Sequence, residues 1–468
     1  MPFNNIQPAD ISFFTQTLGE KYVLSDKDNI DRCASDQTED LKYIPEVVLQ
    51  PGTTQDVSAI MKYCNGHSIP VTPRGAGTGL SGGALPVWGG VVLDMKRFNK
   101  ILHVDKRNFQ VTTEPGVITQ ELQEHLKTES LFYPPDPASK GSCFIGGNVS
   151  ENSGGPRAVK YGVVKDYVLN LEIVLPNGEI IWTGANVLKN ATGYNLTQLV
   201  VGSEGTLCII TKIVLRLIPA VKHDLLLLVP FRSAVEACAA VNAIFLAGYT
   251  PSALEFMERD AIEWSMRYVQ ATGISLPADI AAHLLIEVDG NHMDELYRDA
   301  EAISAIVQQY DIGDILFADS HEQKQMLWTL RRKVGEAVKS NSVYKEEDTV
   351  VPRAELPELL KIIKDLGIEH GFHSVCYGHA GDGNLHVNIV KGNMSDEDWN
   401  TKLPQGIRKL FKEVVRLGGT LSGEHGIGLV QKEFMDIAFN PVQMGLMKQI
   451  KHIFDPNGIL NPGKILTS

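Results

Sequence analysis

Short aliphatic and β-branched runs, each bounded by turn residues, recur along the chain from Val47 onward. Residues 69–72, 91–95, 101–104 and 109–113 follow this pattern and predict strands. Residues 118–129 instead carry Leu122 and Leu126 at helical spacing and predict a helix. The runs 168–175 and 180–183 flank Pro176-Asn177-Gly178-Glu179, where Asn-Gly predicts a hairpin closed by a type I′ turn. A further strand-like run, 207–218, stops at Pro219.

After Pro219 the pattern changes. Residues 225–229 and 284–288 predict strands, and 233–246 a helix. Leu296, Ala300, Ile303, Val307 and Tyr310 recur at alternating steps of four and three, the apolar stripe of an amphipathic helix over 294–310. Residues 321–339 predict one continuous helix bearing Arg331 and Arg332. Residues 1–40 read as a polar helical lead-in, 41–220 as a first domain and 221–468 as a second.

Composition narrows the function classes. A chain of 468 residues with 43% hydrophobic positions is long enough for more than one buried core and too apolar for wholesale disorder. Its 43 Lys and Arg against 56 Asp and Glu give a net charge of −13, dispersed along the chain, which argues against a nucleic-acid partner. Cys33, Cys64, Cys143, Cys208, Cys238 and Cys376 form no C-x-x-C pair, which excludes a thiolate zinc ribbon and a cysteine-rich iron–sulfur motif within this chain. The same scatter fits a reducing compartment. Residues 1–17 lack a secretory pattern, and the longest aliphatic run, 225–230, is far short of a membrane span. A cytoplasmic protein without a transmembrane segment is expected, with peripheral docking at the inner face of a membrane left open.

Glycine loops carry the first chemistry. Residues 74–83, Arg-Gly-Ala-Gly-Thr-Gly-Leu-Ser-Gly-Gly, follow a predicted strand, and five glycines let backbone N–H groups surround an anion, with Thr78 and Ser81 as further donors. The loop lacks the following helix of a dinucleotide fingerprint and the Gly-Lys-Ser/Thr of a P-loop. Alone it reads equally well as a tight turn. Two more loops follow: Pro134-Pro135-Asp136-Pro137-Ala138-Ser139 leading into Gly146-Gly147-Asn148-Val149-Ser150-Glu151-Asn152-Ser153-Gly154-Gly155 and Lys160-Tyr161-Gly162, then Gly202-Ser203-Glu204-Gly205-Thr206-Leu207. In order and spacing these segments resemble the FAD-binding module of the vanillyl-alcohol-oxidase/p-cresol-methylhydroxylase superfamily. The resemblance implies that Arg74, Gly75, Ala76, Gly77, Thr78, Gly79 and Ser81 hold the FAD pyrophosphate. It implies that Pro135, Asp136, Ser139, Gly146, Gly147, Asn148, Asn152 and Gly155, with Glu204, Gly205 and Ile209, line the ribityl and isoalloxazine portions. The tail 455–468 would return to the flavin through Asn461. Residues 76–83 contain neither His nor Cys, so FAD is expected to be non-covalent there, and Cys208, where many relatives have Gly, reads as a packing thiol.

The second half offers a metal and a base. His379 and His386 flank a Gly-Asp-Gly-Asn turn that can bring both rings to one point, and Glu424-His425 lie among glycines in Ser-Gly-Glu-His-Gly-Ile-Gly. Each histidine alone fits a structural role, but two His and one Glu form the ligand set of a catalytic divalent ion, zinc first among them. Both motifs resemble the C-terminal domain of the FAD-linked D-2-hydroxyacid dehydrogenases (D-lactate dehydrogenase, the catalytic glycolate oxidase subunit, D-2-hydroxyglutarate dehydrogenase). The resemblance implies an α+β fold: a two-subdomain FAD-binding module of the p-cresol-methylhydroxylase type, then an antiparallel-sheet cap of the FAD-linked oxidase C-terminal type. It further implies His379, His386 and Glu424 as metal ligands, His425 as the base, and Asn388 as a substrate-positioning residue.

Arg331, in Leu327-Trp328-Thr329-Leu330-Arg331, resembles the family's Trp-x-x-Arg helix and can clamp a substrate carboxylate. Lys345 resembles a lysine that holds a second carboxylate in the hydroxyglutarate enzymes, although its spacing to Asp348 and Pro352 differs, and an exposed surface lysine is the plain alternative. Glu346-Glu347-Asp348 reads as a solvated run. The leading expectation is an FAD-dependent D-2-hydroxyacid dehydrogenase, D-lactate or glycolate favoured. Its electrons would leave to a quinone, a cytochrome, an electron-transfer flavoprotein or a partner subunit. A direct O2-using oxidase, a dicarboxylate dehydrogenase, a non-catalytic FAD subunit and a colourless zinc hydrolase stay open, as does a homodimer.

Overall fold

Aliphatic residues buried on both sides start the first sheet. In the computed structural model, which describes residues 3–39, 41–271, 276–318 and 320–467, helices Pro8–Leu18 (α1) and Lys27–Cys33 (α2) bracket Val23–Leu24 (β1). Residues 1, 2 and 40 of the expected lead-in, and 468 of the tail, lie outside the described residues. Val47–Leu49 (β2), helix Thr54–Gly66 (α3), Val71–Arg74 (β3) and Val91–Asp94 (β4) follow. The sheet order is β1-β2-β4-β3, with β2, β4 and β3 parallel and β1 antiparallel at the edge. Parallel neighbours require crossovers, and α3 supplies one. Its Thr53–Asp56 capping box satisfies the first-turn amides, and Val57, Ile60, Met61 and Cys64 turn one face into the core.

Ile101–Asp105 (β5) and Gln110–Thr113 (β6) begin a second, antiparallel sheet, followed by helix Thr119–Thr128 (α4), Leu131–Phe132 (β7) and helix Ile145–Glu151 (α5). Val168–Val174 (β8), Ile180–Trp182 (β9) and Ile209–Arg216 (β10) complete it in the order β5-β6-β10-β8-β9, and Ile218–Pro219 (β11) pairs with β7. The β8–β9 hairpin forms, but its turn is not type I′. Among its loop residues only Gly178 has a positive φ (87°), whereas type I′ needs two. The Pro176 ring holds φ negative, so the chain turns as type I and Gly178 supplies the left-handed bulge residue.

The chain divides into two units. Unit 1 takes the chain up to Gly154, then Val163–Ala220 and the stretch from Glu424 onward, while unit 2 takes Gly155–Gly162 and Val221–Gly423. The return to unit 1 therefore starts well before the expected residue 455. Residues 155–162 join unit 2 through charge: Arg157 pairs with Glu287 at 3.3 Å, Lys160 with Asp289 at 2.5 Å, and the Tyr161 hydroxyl donates to Asp289 at 2.8 Å.

Unit 2 is built on one seven-stranded antiparallel sheet. Its elements are His223–Phe231 (β12), helix Ala234–Leu246 (α6), Ala253–Glu258 (β13), helix Arg259–Val269 (α7), Ala282–Gly290 (β14), helix Met293–Val307 (α8) and Leu316–Ala318 (β15). Helices His321–Arg332 (α9) and Val334–Asn341 (α10), Tyr344–Val350 (β16), helix Leu356–His370 (α11), His373–Gly378 (β17) and Asn384–Val390 (β18) follow. Helices Asp396–Thr401 (α12) and Leu403–Arg416 (α13) end the unit's helices. The sheet order is β15-β12-β14-β13-β17-β18-β16.

Helices cover both faces of this sheet, so Leu225–Val229 in β12 can be continuously apolar without exposing a side. Tyr344, Val375, Tyr377, Leu285 and Met257 share one face with Leu327, Val334 and Val338. The single helix expected over 321–339 breaks at Lys333. The break lets Leu327, Leu330 and Arg331 on α9, and Val334 and Val338 on α10, all turn toward the sheet. Leu285→Ala, in the middle of that core, is expected to destabilise the protein by about 2–5 kcal/mol, read as a lower urea midpoint with an unchanged slope.

Candidate active site

Unit 1 holds an open cavity of about 1340 Å3, its solvent-filled mouth included. Of the residues expected at FAD, Arg74, Gly75, Ala76, Gly77, Thr78, Gly79, Ser139, Gly146, Gly147, Asn148, Glu204, Gly205 and Ile209 line it. A Cβ added at Gly79 or Gly147 would meet no atom within 4 Å, so these glycines leave open the space that a ligand needs. Glycine loops with such open space let backbone N–H groups approach a phosphate-bearing cofactor.

Several expected contacts act otherwise. The Arg74 guanidinium donates to the carbonyl oxygen of Ser35 at 2.8 Å and to that of Arg32 at 3.4 Å, so it braces the loop against the end of α2. Ser81 is buried below the loop, where its carbonyl accepts the Leu429 amide at 2.7 Å. The carbonyl of Pro135 accepts from Gln123, and Asp136 is buried 3.5 Å from Lys140. Asn152 caps α5 in the left-handed region and accepts the Lys165 amide. Gly155 belongs to unit 2 and does not line the cavity. Asn461 supports the cavity loops from behind, donating to the carbonyl oxygens of Gly83 at 3.0 Å and Glu204 at 2.9 Å.

Glu424 and His425 line the same cavity. The segment carrying them is seated very closely: a Cβ at Gly428 would lie 2.1 Å from the Ser81 carbonyl oxygen, and one at Gly426 would lie 2.3 Å from Glu151 Oε2. Both glycines also have positive φ, at 83° for Gly426 and 49° for Gly428. The Glu204 carboxylate accepts the Ile427 amide at 2.8 Å and the Gly428 amide at 2.6 Å. Burial pushes Glu204 up to about 7, against the pull of those two amides and Lys464. Burial, then the neighbouring Glu204 and Asp36, raise Glu151 well above the carboxylate range. Lys464 is lowered to about 8 by burial.

Unit 2 gathers the other half of the predicted residues on one face of its sheet. Glu255 on β13, with no exposure, lies 2.6 Å from Arg331 Nη2, and both its oxygens lie 2.9 Å from His379 Nδ1. That contact puts the Nδ1 proton on the carboxylate side and leaves the lone pair on Nε2, the arrangement that suits a metal ligand. The His379 and His386 rings are 5.4 Å apart, because β17 and β18 fold back across the Ala380–Asp382 turn and pair Tyr377 with His386. His386 Nδ1 is 3.5 Å from Asp348 Oδ1 and 3.8 Å from Glu346 Oε1. Arg331 stacks 5.1 Å from the Tyr377 ring centre. The Arg331 Nε is buried without a hydrogen-bond partner, and Asn388 is fully buried beside Tyr377.

Two expectations fail in unit 2. Lys345 pairs with Ile389 while Glu346 pairs with Asn388, so strand alternation puts Lys345 on the opposite face from Asn388 and His386. Its ammonium sits 5.9 Å from the Trp399 ring, away from the Arg331 cluster, which removes it from the candidate substrate contacts. The acidic run Glu346-Glu347-Asp348 is not solvated: Glu347 and Asp348 are buried, and Asp348 accepts from Asn384, Ser422 and the Gly423 amide. Glu255, Tyr377, Glu151 and Lys464 are additions that the sequence did not single out. Lone acids and tyrosines inside strands carry no motif, and only the odd sight of Glu255 in the apolar run Ala253–Glu258 could have pointed to it.

Residues 45–184 match the profile described as "FAD binding domain", and residues 221–465 match that of "FAD linked oxidases, C-terminal domain". The chain belongs to the FAD-linked oxidase family. It is 38% identical over 467 residues to a protein named D-lactate dehydrogenase of Anaerostipes hadrus, covering 99% of this chain and 98% of the other. It is 38% identical to the glycolate oxidase subunit GlcD of Bacillus subtilis, over 92% of this chain and 91% of the other. The solved structure of p-cresol methylhydroxylase with substrate bound superposes with a TM-score of 0.80 at 18% identity, covering 97% and 96% of the two chains. Fold class, family and FAD therefore agree with the expectation: this is an FAD-linked oxidoreductase of the D-lactate, glycolate and D-2-hydroxyglutarate dehydrogenase type. Among the described residues no helix is long and apolar enough to cross a membrane.

Gly147→Leu fills the cavity from a position where a Cβ meets nothing, so the variant is expected to fold and to carry less FAD. The ratio of flavin absorbance to protein absorbance after gel filtration measures the loss.

Proposed function

We propose that this FAD-linked oxidase dehydrogenates a D-2-hydroxy acid, D-lactate or glycolate first, to the 2-oxo acid. The observation that carries the reading is a buried donor of Arg331, its Nε, left without a hydrogen-bond partner on the face that holds Asn388, His379 and His386. Such a donor calls for a ligand with acceptor oxygens, and a carboxylate suits the guanidinium best. Removal of Lys345 from this face favours a monocarboxylate over D-2-hydroxyglutarate.

In this reading Arg331 and Asn388 hold the substrate carboxylate, and His425 at the flavin cavity takes the hydroxyl proton. FAD, when bound, supplies the two-electron acceptor for the hydride leaving the substrate Cα. One proton and one hydride leave, so the hydroxyl carbon becomes the carbonyl of the 2-oxo acid. His379, His386 and Glu424 would hold a divalent cation, zinc first among the candidates, whose chemistry is to acidify the substrate hydroxyl. Glu255 supports this by fixing the His379 tautomer, and Glu424 follows Gly423, whose amide is held by Asp348 at 2.9 Å. Electrons then pass to a quinone, a cytochrome, an electron-transfer flavoprotein or a partner subunit. The last is supported by the name of the B. subtilis relative, a subunit.

Anaerobic D-lactate or glycolate is expected to bleach the visible flavin band of the purified protein, while L-lactate leaves it standing. Bleaching by neither D-lactate nor glycolate would end the proposal. His425→Asn is expected to keep its FAD and to reduce it about 100-fold to 10,000-fold more slowly, the usual worth of a general base. Dialysis against a chelator is expected to lower turnover with the flavin spectrum intact, and added Zn2+ to restore it. Full turnover in a sample shown to be metal-free would remove the cation from the mechanism.

A further inference from the structure

Glu204 lines the flavin cavity, yet its carboxylate does not face a vacancy. Both of its oxygens are engaged with backbone amides of a distant stretch of chain, Ile427 at 2.8 Å and Gly428 at 2.6 Å. Those amides lie two and three residues beyond His425. The residue is held in turn: its own amide donates to the Ser150 carbonyl at 2.8 Å, and its carbonyl accepts Asn461 Nδ2 at 2.9 Å. Its φ of 51° is a left-handed conformation, which a non-glycine residue keeps only where its surroundings hold it. Both carboxylate oxygens are taken by backbone amides, so its chain partners account for its presence without a cofactor contact.

We propose that Glu204 is a positioning residue for His425, its carboxylate fixing the 424–428 segment on the wall of the flavin cavity through the Ile427 and Gly428 amides. The role rests on the reading of His425 as the base. The geometry needs a carboxylate rather than any polar group. Two successive N–H donors require two acceptor oxygens, and an amide offers one acceptor and sets an NH2 against the other donor. Leu429 on the Ser81 carbonyl, at 2.7 Å, and Ile465 donating to the Gly428 carbonyl, at 2.8 Å, anchor the chain just beyond the clamp. The clamp therefore acts on the side of the loop nearest the base. Burial and the two amides oppose each other in setting the charge on Glu204, with Glu151, Asp36 and Lys464 as the charged groups around it.

The test compares wild type with Glu204→Gln as FAD-loaded proteins, by hydrogen exchange and by anaerobic stopped-flow reduction. In wild type the Ile427 and Gly428 amides are expected to exchange slowly. In the variant they should exchange about tenfold faster, the effect of losing one net hydrogen bond. The limiting rate of flavin reduction should fall about a hundredfold, the cost of an ångström-scale misplacement, while the apparent substrate affinity changes little. Loss of FAD from Glu204→Gln would return Glu204 to the cofactor contacts and overturn the proposal, as would wild-type exchange at 427–428 together with a wild-type rate. Rapid exchange of these amides in wild type overturns it with no variant needed, should Glu204→Gln not fold. His425→Asn separates the two readings. Undiminished reduction there removes His425 as base, whereas the exchange at 427–428 in Glu204→Gln still reports on the clamp.

Discussion

A carboxylate with no solvent exposure persists only with a cation and hydrogen-bond donors beside it, and Glu255 imposes that condition on unit 2. Arg331 supplies the charge and His379 the ring N–H. The three side chains come from a strand, a helix and the start of a turn, so satisfying one anion fixes three elements relative to one another. Tyr377 packs against the same guanidinium, its ring centre 5.1 Å away. Removing any member would leave a buried charge or a misdirected imidazole behind.

The flavin loops were the most legible part of the sequence because their requirement is local. A loop that lets backbone approach a ligand must be rich in glycine, and that composition survives in any context. The order of such loops carried the fold class as well. The antiparallel cap was legible through two ungapped motifs rather than through periodicity, since its strands are covered on both sides and lose the alternation that normally marks them.

What stayed hidden depends on three-dimensional register. Lys345 and Glu346 are neighbours in sequence and face opposite ways, and nothing short of the β16–β18 pairing tells which one sees Asn388. Arg74 opens a loop that suggests a phosphate contact, but the carbonyl groups ending α2 take its donors. Asp348 looked solvated inside an acidic run, yet it binds a backbone amide and two side chains across the sheet. In each case a distant stretch of chain decides what a charged group does, and no short window of sequence contains both partners.

The stretch from Glu424 onward belongs to unit 1, where Leu460 bridges Val71 and Lys464 donates to Leu85. On the ribosome the N-terminal segments of unit 1 emerge first, and all of unit 2 is made before the segment that brings Glu424, His425 and Asn461. Chains elongate at about 5–20 residues per second and domains tend to fold as they emerge, so the nascent chain carries an unfinished flavin cavity for most of its synthesis. Its lining is completed by Glu424 and His425, made only after unit 2, which ties cofactor acquisition to a late stage of translation rather than to the appearance of the glycine loops.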